Sequence, residues 1–362
     1  MALAAGRFDE LRRKVRANSR LRPVGAGSKP ALSGWGNLML EDLRGVLEYD
    51  PGEYTFTALA ATPLKEIEAV LAENDQYLPF DPPLSEKGAT LGGTVAAGLS
   101  GPGRLRYGGV RDFLLGVRFI DGRGELISGG GKVVKNAAGF DLPKLMVGSL
   151  GQFGVMLELT FKVFPKPQAY VTVELELASL TGALDTMQRL VGSRLEVTSL
   201  DLEPPSRLRV RLGGTSEALP TRLARLEHLV GQAGNVLEGS VEQATWRSLR
   251  EFDWLSEGHG LLKIPVTPGA IAPLEQALAG FDENIPRRYS VAGNVAWLGW
   301  PESLGEKRFE KLLDQSGLSA LAISGRWSCP LLGAQPGRVF AKRLGCVLDP
   351  EGKFQPGDLD AT

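Results

Sequence analysis

Five consecutive residues near the N-terminus, Gly25-Ala26-Gly27-Ser28-Lys29, have the composition of a phosphate-binding loop. They follow a predicted strand at Leu21–Val24, and a strand that ends in Gly-x-Gly-Ser can present consecutive backbone N–H groups to an anion. Lys29 could add a positive charge. The loop differs from a dinucleotide-binding fingerprint, because Pro30 occupies the place of the third glycine. An ordinary tight turn is the alternative interpretation of the same residues.

Three further glycine-rich stretches follow, and the first of them has too few large side chains to fill a core by itself. They are residues 89–98, 129–142 and 148–155. Backbone of this kind indicates that a flat partner packs closely against it. The second stretch is not a P-loop, because Lys132 is followed by Val133 and residue 126 is not glycine. Four such stretches in one chain indicate a ligand more strongly than any one of them alone.

The elements that must position these stretches can be read from hydrophobic periodicity and turn residues. A helix is predicted to open at Thr62-Pro63, with Thr62 as its N-cap, and to stop before Asn74. A hairpin turn is predicted at 121–124, where glycines allow a positive φ. The remaining predictions for this half are a helix at 7–20 and strands at 46–50, 55–60, 113–120, 126–128 and 154–163.

A second domain is predicted to begin after Pro165-Lys166-Pro167, which breaks the pattern. Two successive β-α-β-β-α units follow, beginning near 171 and 261, and they favour an α+β domain with one antiparallel sheet and helices on one face. The predicted division is 1–168 for the first domain, 169–333 for the second, and 334–362 for a tail that returns to the first.

Charge and cysteine content exclude several classes of protein. The net charge of -1 and the pI near 6.3 lack the basic excess of a nucleic-acid binder. Two cysteines, Cys329 and Cys346, cannot make a disulfide scaffold, a zinc ribbon or a cysteine-ligated iron–sulfur cluster within this chain. No signal peptide or membrane span is predicted. We therefore expect a cytoplasmic protein that reaches the inner membrane, if at all, through a complex.

The order of the four stretches resembles the FAD-binding domain shared by vanillyl alcohol oxidase, p-cresol methylhydroxylase and D-lactate dehydrogenases, over about residues 7–168. Finer motifs resemble the smaller FAD-binding subunits of bacterial glycolate oxidase. These motifs are Tyr49-Asp50-Pro51, Pro82-Pro83 before Ala89-Thr90-Leu91-Gly92-Gly93, Val134-Lys135-Asn136-Ala137-Ala138-Gly139-Phe140-Asp141-Leu142 and Leu348-Asp349-Pro350. The resemblance implies a two-part FAD-binding domain with an α+β cap domain.

The resemblance also implies site residues for a non-covalently bound FAD. Residues 25–29 would take the pyrophosphate, and Val155 would contact the adenine side through its backbone. The others that would line or support the cofactor are Pro83, Thr90, Gly92, Gly93, Ala97, Gly98, Asn136, Gly139 and Asp141.

Catalytic candidates are few, because the chain has only two histidines. His228 falls in a predicted helix and is expected to be structural or exposed. The catalytic candidates are His259, in a turn, as a general base and Arg326 as a carboxylate-binding cation. Neither histidine lies in the FAD-binding half, so no covalent flavin is expected, and without a histidine pair no metal site is predicted. Trp246, Arg250, Arg287 and Arg288 are further second-domain candidates, with packing or surface ion pairs as the alternative.

Three functions remain open at this point. In the first, the chain is an FAD-bearing subunit of a glycolate oxidase (dehydrogenase) complex, together with a larger FAD-binding subunit that performs hydride abstraction and an iron–sulfur subunit that accepts electrons. The second is a self-sufficient flavin oxidoreductase that acts on a small 2-hydroxy acid, such as glycolate or D-lactate. The third is a scaffold that kept the fold and lost the flavin.

Overall fold

The computed structural model describes residues 2–34, 36–131 and 141–354. The chain forms two compact units. The first contains Met1–Ser100, Gly109–Pro165 and Pro336–Thr362, and the second contains Gly101–Gly108 and Lys166–Gln335. The segment Gly101–Gly108 thus belongs to the second unit, whereas the linear division of the sequence placed it in the first domain.

The elements up to Pro165 alternate short helices with strands. In chain order they are α1 (Ala2–Ala17), β1 (Pro23–Val24), α2 (Pro30–Ser33), β2 (Leu38–Met39), β3 (Val46–Asp50), β4 (Thr55–Leu59), α3 (Leu64–Ala72), β5 (Gln76–Tyr77), α4 (Leu91–Ala97), α5 (Arg104–Tyr107), α6 (Val110–Phe113), β6 (Leu114–Ile120), β7 (Leu126–Gly130), α7 (Leu142–Met146), β8 (Val155–Lys162) and β9 (Phe164–Pro165).

The main sheet of the first unit has five strands in the order β3-β4-β8-β6-β7, with every neighbouring pair antiparallel. The strands predicted at 46–50, 55–60, 113–120, 126–128 and 154–163 form this sheet and are confirmed, as is the hairpin at 121–124 that joins β6 to β7. Phe8, Leu11 and Val15 recur at helical spacing on α1 and enter a core that also contains Ile120 and Phe354. This core joins the N-terminal helix, the sheet and the last described residues of the chain.

The prediction that Thr62 caps α3 is wrong. The N-cap residue is Pro63, which makes no side-chain capping bond. The hydroxyl of Thr62 is buried and donates to the carbonyl oxygen of Leu59 at 2.7 Å, and it accepts from the N–H of Gly45 at 2.9 Å. The hydroxyl therefore stabilises the end of β4 and the loop before β3, because those backbone groups are nearer to it than the helix.

The remaining elements belong to the second unit, apart from the last helix. In chain order they are β10 (Ala169–Glu176), α8 (Leu180–Val191), β11 (Ser199–Glu203), β12 (Arg207–Gly214), α9 (Leu219–Val230), β13 (Asn235–Glu238), α10 (Gly239–Glu251), β14 (His259–Pro265), α11 (Pro268–Leu278), β15 (Arg287–Ser290), β16 (Val295–Pro301), α12 (Glu306–Ser316), β17 (Ser319–Ala322), β18 (Leu331–Gly333) and α13 (Arg338–Leu348).

One antiparallel sheet of nine strands forms the second unit, in the order β13-β10-β12-β11-β15-β16-β14-β17-β18. Eight of these strands form a repeat. From the central pair β11 and β15 outwards, each half runs through the second, third, first and fourth strand of a β-α-β-β-α-β unit, and β18 is a ninth strand at one edge. The predicted α+β class and antiparallel sheet are confirmed. The fourth strand of each unit, β13 and β17, and the edge strand β18 were not predicted.

Within the described ranges, none of the helices has both the length and the apolar character that crossing a membrane requires.

Candidate cofactor site

A concave cleft lies in the first unit, and clefts are the usual place for small-molecule and cofactor sites. The cleft is lined by the loop between β1 and α2, the residues after β4, the first turns of α4, and the turn before β8. Nine residues that the sequence analysis singled out line it: Gly25, Ala26, Gly27, Ser28, Lys29, Thr90, Gly92, Gly93 and Ala97.

The loop 25–29 offers unused backbone donors on one side of the cleft. Gly27 has a φ of +69°, a left-handed conformation that favours glycine. In the part of the chain that the structure describes, the backbone N–H groups of residues 25–29 donate to no protein acceptor. Consecutive backbone N–H groups that have no protein acceptor make a concave site for an anion.

Thr90 holds the loop and α4 together. Its Oγ1 caps α4 by accepting from the N–H of Gly93 at 3.2 Å. A β-carbon on Gly25 would lie 2.5 Å from this oxygen, and one on Gly93 would lie 2.9 Å from it. A β-carbon on Gly92 would lie 2.9 Å from the carbonyl oxygen of Ala60. Gly25 and Gly93 are therefore required by close packing around Thr90, and Gly92 is required by its close approach to Ala60.

Lys29 brings a buried positive charge to the same loop. Its side chain is only 6% exposed, and its Nζ lies 3.1 Å from Oγ of Ser28. Burial lowers the pKa of Lys29 to about 8. Across the described ranges, no carboxylate forms an ion pair with this ammonium group. A buried cation without a counter-ion is costly, and an anionic ligand in the cleft would supply the missing partner.

These observations fit the diphosphate of FAD. Free N–H groups and one ammonium match two neighbouring negative charges, and side-chain-poor backbone leaves room for a flat ligand. Ala60 and Ala61 also line the cleft, although they belong to none of the four glycine-rich stretches. They are a pair of small residues directly after a strand, and the same feature, small residues after a strand, identifies the loop 25–29.

The other predicted cofactor residues have more varied positions. Gly98 ends α4 in a left-handed conformation, with φ +60°. Val155 is buried, and its neighbours along the chain, Gly154 and Met156, line the cleft. Asp141 caps α7 by accepting from the N–H of Lys144. Pro83 is buried but does not line the cleft. Asn136 and Gly139 lie outside the described residues, and the cofactor roles of this whole group stay predictions.

The catalytic candidates lie in the second unit. His259 begins β14, is half-buried, and has its Nδ1 3.0 Å from the carbonyl oxygen of Glu257. Arg326 is exposed. His228 is exposed on α9, as expected.

Other second-unit candidates have structural partners. The indole N–H of Trp246 donates to Oγ1 of Thr172 at 2.8 Å, and the ring is 2% exposed. The guanidinium of Arg287 binds Glu275, and that of Arg288 binds Glu203. The alternative interpretation, packing and ion pairs, therefore describes the contacts that the structure gives these three residues.

Comparisons with known proteins agree with the site. The FAD binding domain family matches residues 9–130. The chain is 41% identical over 324 residues to glycolate oxidase subunit GlcE of Escherichia coli K12, covering 88% of this chain and 85% of that protein. It is 30% identical to glycolate oxidase subunit GlcD of Bacillus subtilis over 47% of this chain and 36% of that one.

Among solved structures, alkyldihydroxyacetonephosphate synthase is similar in fold, with a TM-score of 0.71 and 17% identity over 97% of this chain and 76% of that chain. Similarity at this identity concerns the fold alone. The identity to GlcE is high and extends over most of both chains. The chain therefore belongs to the family of FAD-binding oxidoreductase subunits that includes glycolate oxidase subunit GlcE.

Proposed function

We propose that this chain is the FAD-binding subunit of a glycolate oxidase (dehydrogenase) complex. The complex would oxidise glycolate, or a similar 2-hydroxy acid such as D-lactate, to the 2-oxo acid and pass the electrons to an acceptor. The observation that carries the proposal is the 41% identity to GlcE over 85% of that protein. The cleft supports it, since a buried ammonium and free N–H groups lie where a diphosphate is expected.

The roles of the chain's own residues follow from their contacts. Backbone N–H groups of residues 25–29 would bind the diphosphate, and Lys29 would neutralise part of its charge. Thr90 would hold the first turn of α4 through its capping bond to Gly93, and it would pack against the loop at Gly25. Gly92 and Ala97 would keep the wall of the cleft free of long side chains. When bound, FAD supplies the two-electron acceptor for hydride chemistry.

Catalysis is proposed to be shared with a larger FAD-binding subunit, with an iron–sulfur subunit as electron acceptor. The similarity to GlcD covers less than half of this chain, which suits two related but distinct flavin subunits. The charged residues that line the cleft are Arg22 and Lys29, both cations, so the cleft is suited to binding an anion. His259 and Arg326 remain candidates for contact with substrate. Any membrane contact would be made by the assembly.

The first test is flavin binding. The purified chain is expected to be yellow or to become so with FAD, with flavin absorption bands that are released by acid or heat. Protein that stays colourless and takes up no FAD at micromolar concentrations would instead be the scaffold that lost its cofactor.

The second test is turnover. Glycolate and D-lactate are offered with a dye acceptor to this chain alone, to the larger FAD-binding subunit alone, and to both. Reduction of the dye is expected to be fastest with both subunits. If this chain alone matches the rate of the mixture, it is a self-sufficient dehydrogenase and the proposal of shared catalysis is wrong.

A further inference from the structure

Helix α13 exposes an apolar face. Val339, Phe340 and Val347 are 65%, 67% and 61% exposed. They are three of the ten large apolar side chains that are exposed among the described residues, and all three belong to one helix of 11 residues. Exposed apolar side chains that are gathered in one patch mark an interaction surface.

The face has an arginine at its centre. Val339, Arg343 and Val347 follow one another at a spacing of four residues, so they lie along one line of the helix, with Phe340 beside it. Arg343 is exposed, and no ion pair joins it to any other residue in the described parts of the chain. Arginine and aromatic residues together are the composition of interface hot spots.

The helix is firmly attached at its other end. Leu348 is buried, and its carbonyl oxygen accepts from the N–H of Gly122 at 2.8 Å. The side chain of Asp349 then accepts from the N–H groups of Lys353 and Phe354. The exposed face is therefore presented by a helix whose C-terminal end is fixed to the first unit, which lowers the entropy that a partner must overcome.

The charges of α13 distinguish between possible occupants. The helix contains Arg338, Lys342 and Arg343 and no acidic residue. A second copy of this chain that packs on this face about a two-fold axis through its centre would bring the two Arg343 side chains together, which is unfavourable. A helix that lies on a membrane keeps its basic residues on the polar side, whereas Arg343 stands within the apolar line. A different protein with a carboxylate between apolar contacts satisfies both features.

We propose that the face Val339–Phe340–Arg343–Val347 of α13 binds a different subunit of the assembly, through a carboxylate that pairs with Arg343 and an apolar groove that receives Phe340. On the proposed function, which this inference extends, that subunit is the larger FAD-binding one. The mode is a helix in a groove with anchors on one helix face.

The test measures binding of the full-length chain to the purified larger FAD-binding subunit. Arg343→Glu and Phe340→Ala are each expected to weaken binding by about tenfold or more. The matched pair is Val347→Ser and Val191→Ser, since Val191 is also exposed, at 55%, and also lies near a helix end. Val347→Ser should weaken binding, and Val191→Ser should leave it unchanged.

Flavin content separates this proposal from the proposed function. All four variants should retain the FAD content of the unaltered chain, because α13 is not among the elements that line the cleft. If the unaltered chain takes up no FAD but still binds the subunit, and Arg343→Glu weakens that binding, the proposed function is contradicted and this inference is supported. A chain with FAD whose binding to the subunit is unaffected by Arg343→Glu and Phe340→Ala would overturn the inference.

A membrane arm completes the test. Vesicles of equal parts phosphatidylglycerol and phosphatidylcholine are mixed with the chain and sedimented. Sedimentation that Arg343→Glu abolishes, with subunit binding intact, would assign the face to a lipid surface and overturn the proposal. Absence of sedimentation, together with the expected loss of subunit binding, supports it.

Discussion

A β-carbon on Gly25 would lie 2.5 Å from Oγ1 of Thr90, closer than such atoms approach in real proteins. The same oxygen caps α4 through the N–H of Gly93. The loop that would receive the diphosphate and the helix that forms the wall of the cleft are therefore packed through one hydroxyl group. Any side chain on Gly25 must displace that group or move the loop.

We expect Gly25→Ala to destabilise the loop against α4 by about 1–3 kcal/mol, the usual cost of overpacking, and to weaken FAD binding. Gly6→Ala is the control, because a β-carbon on Gly6 meets nothing within 4 Å. FAD titration by flavin fluorescence and thermal unfolding would measure both effects. Equal FAD affinity in the two variants would show that the packing at Gly25 is not needed for the site.

The contact between Gly25 and Thr90 should also appear as a coupling energy. Thr90→Ala alone is expected to cost about 1 kcal/mol, because α4 loses its N-cap bond. It also removes Oγ1 and Cγ2, the two atoms that a β-carbon on Gly25 would strike first. The double variant should therefore be less destabilised than the sum of the single variants in urea unfolding. Simple additivity would mean that the loop moves instead of the threonine.

FAD affinity is expected to fall as the pH rises through about 8. Burial lowers the pKa of Lys29 to about 8, so above that pH the free protein loses the charge that would pair with the diphosphate. Measured between pH 6.5 and 9.5, the dissociation constant for FAD should rise with pH in the unaltered chain. In Lys29→Met the charge is absent at every pH, so the dissociation constant for FAD should be higher than in the unaltered chain and should change much less with pH.

The same lysine should have the opposite effect on the stability of the chain without FAD. The folded pKa lies below the ordinary value of 10.5, so the unfolded chain binds more protons between about pH 8 and 10.5. Stability of the flavin-free chain should therefore rise with pH across that window. Lys29→Met should be more stable than the unaltered chain at pH 7, by up to about 3 kcal/mol. A less stable Lys29→Met would mean that the lysine is structural.

Two ion pairs of the second unit offer a matched comparison. Arg211 and Arg207 lie on β12, and their partners are Glu242, 1% exposed, and Glu176, which is exposed. Glu242→Leu should destabilise the chain by about 3–5 kcal/mol, because it removes the carboxylate that binds the buried guanidinium of Arg211 through two hydrogen bonds. Glu176→Leu should change stability by less than about 1 kcal/mol. Urea unfolding followed by tryptophan fluorescence would measure both.

Asp201 should make the second unit less stable as the pH rises from about 4 to 7. Burial raises the pKa of Asp201 to about 7, although a hydrogen bond from Ser290 at 2.7 Å partly opposes the shift. The folded state thus holds a proton that the unfolded chain loses near pH 4, and stability declines until the folded group also ionises. In Asp201→Asn the melting temperature should no longer decline between pH 4 and 7. At pH 8 this variant should be more stable than the unaltered chain by about 2–4 kcal/mol.

Local chemistry in the sequence was sufficient for much of the fold. Strands β3, β4, β6 and β8 follow from alternation and from turn residues such as those at 121–124, because these signals act over a few residues. The repeat in the second unit could be recognised for the same reason. The error at Thr62 shows the limit, since its hydroxyl bonds Gly45, which lies 17 residues away.

The sequence by itself determined that the backbone at 25–29 and 89–98 must approach something closely, because glycines and alanines leave no other way to fill the space. Only the tertiary structure decided which of these residues meet. It put Gly25 against Thr90, buried the charge of Lys29, and brought in Ala60, because distant segments share a cleft only after the sheet has formed. Proximity between such segments depends on the packing of the whole unit, and no local pattern records it.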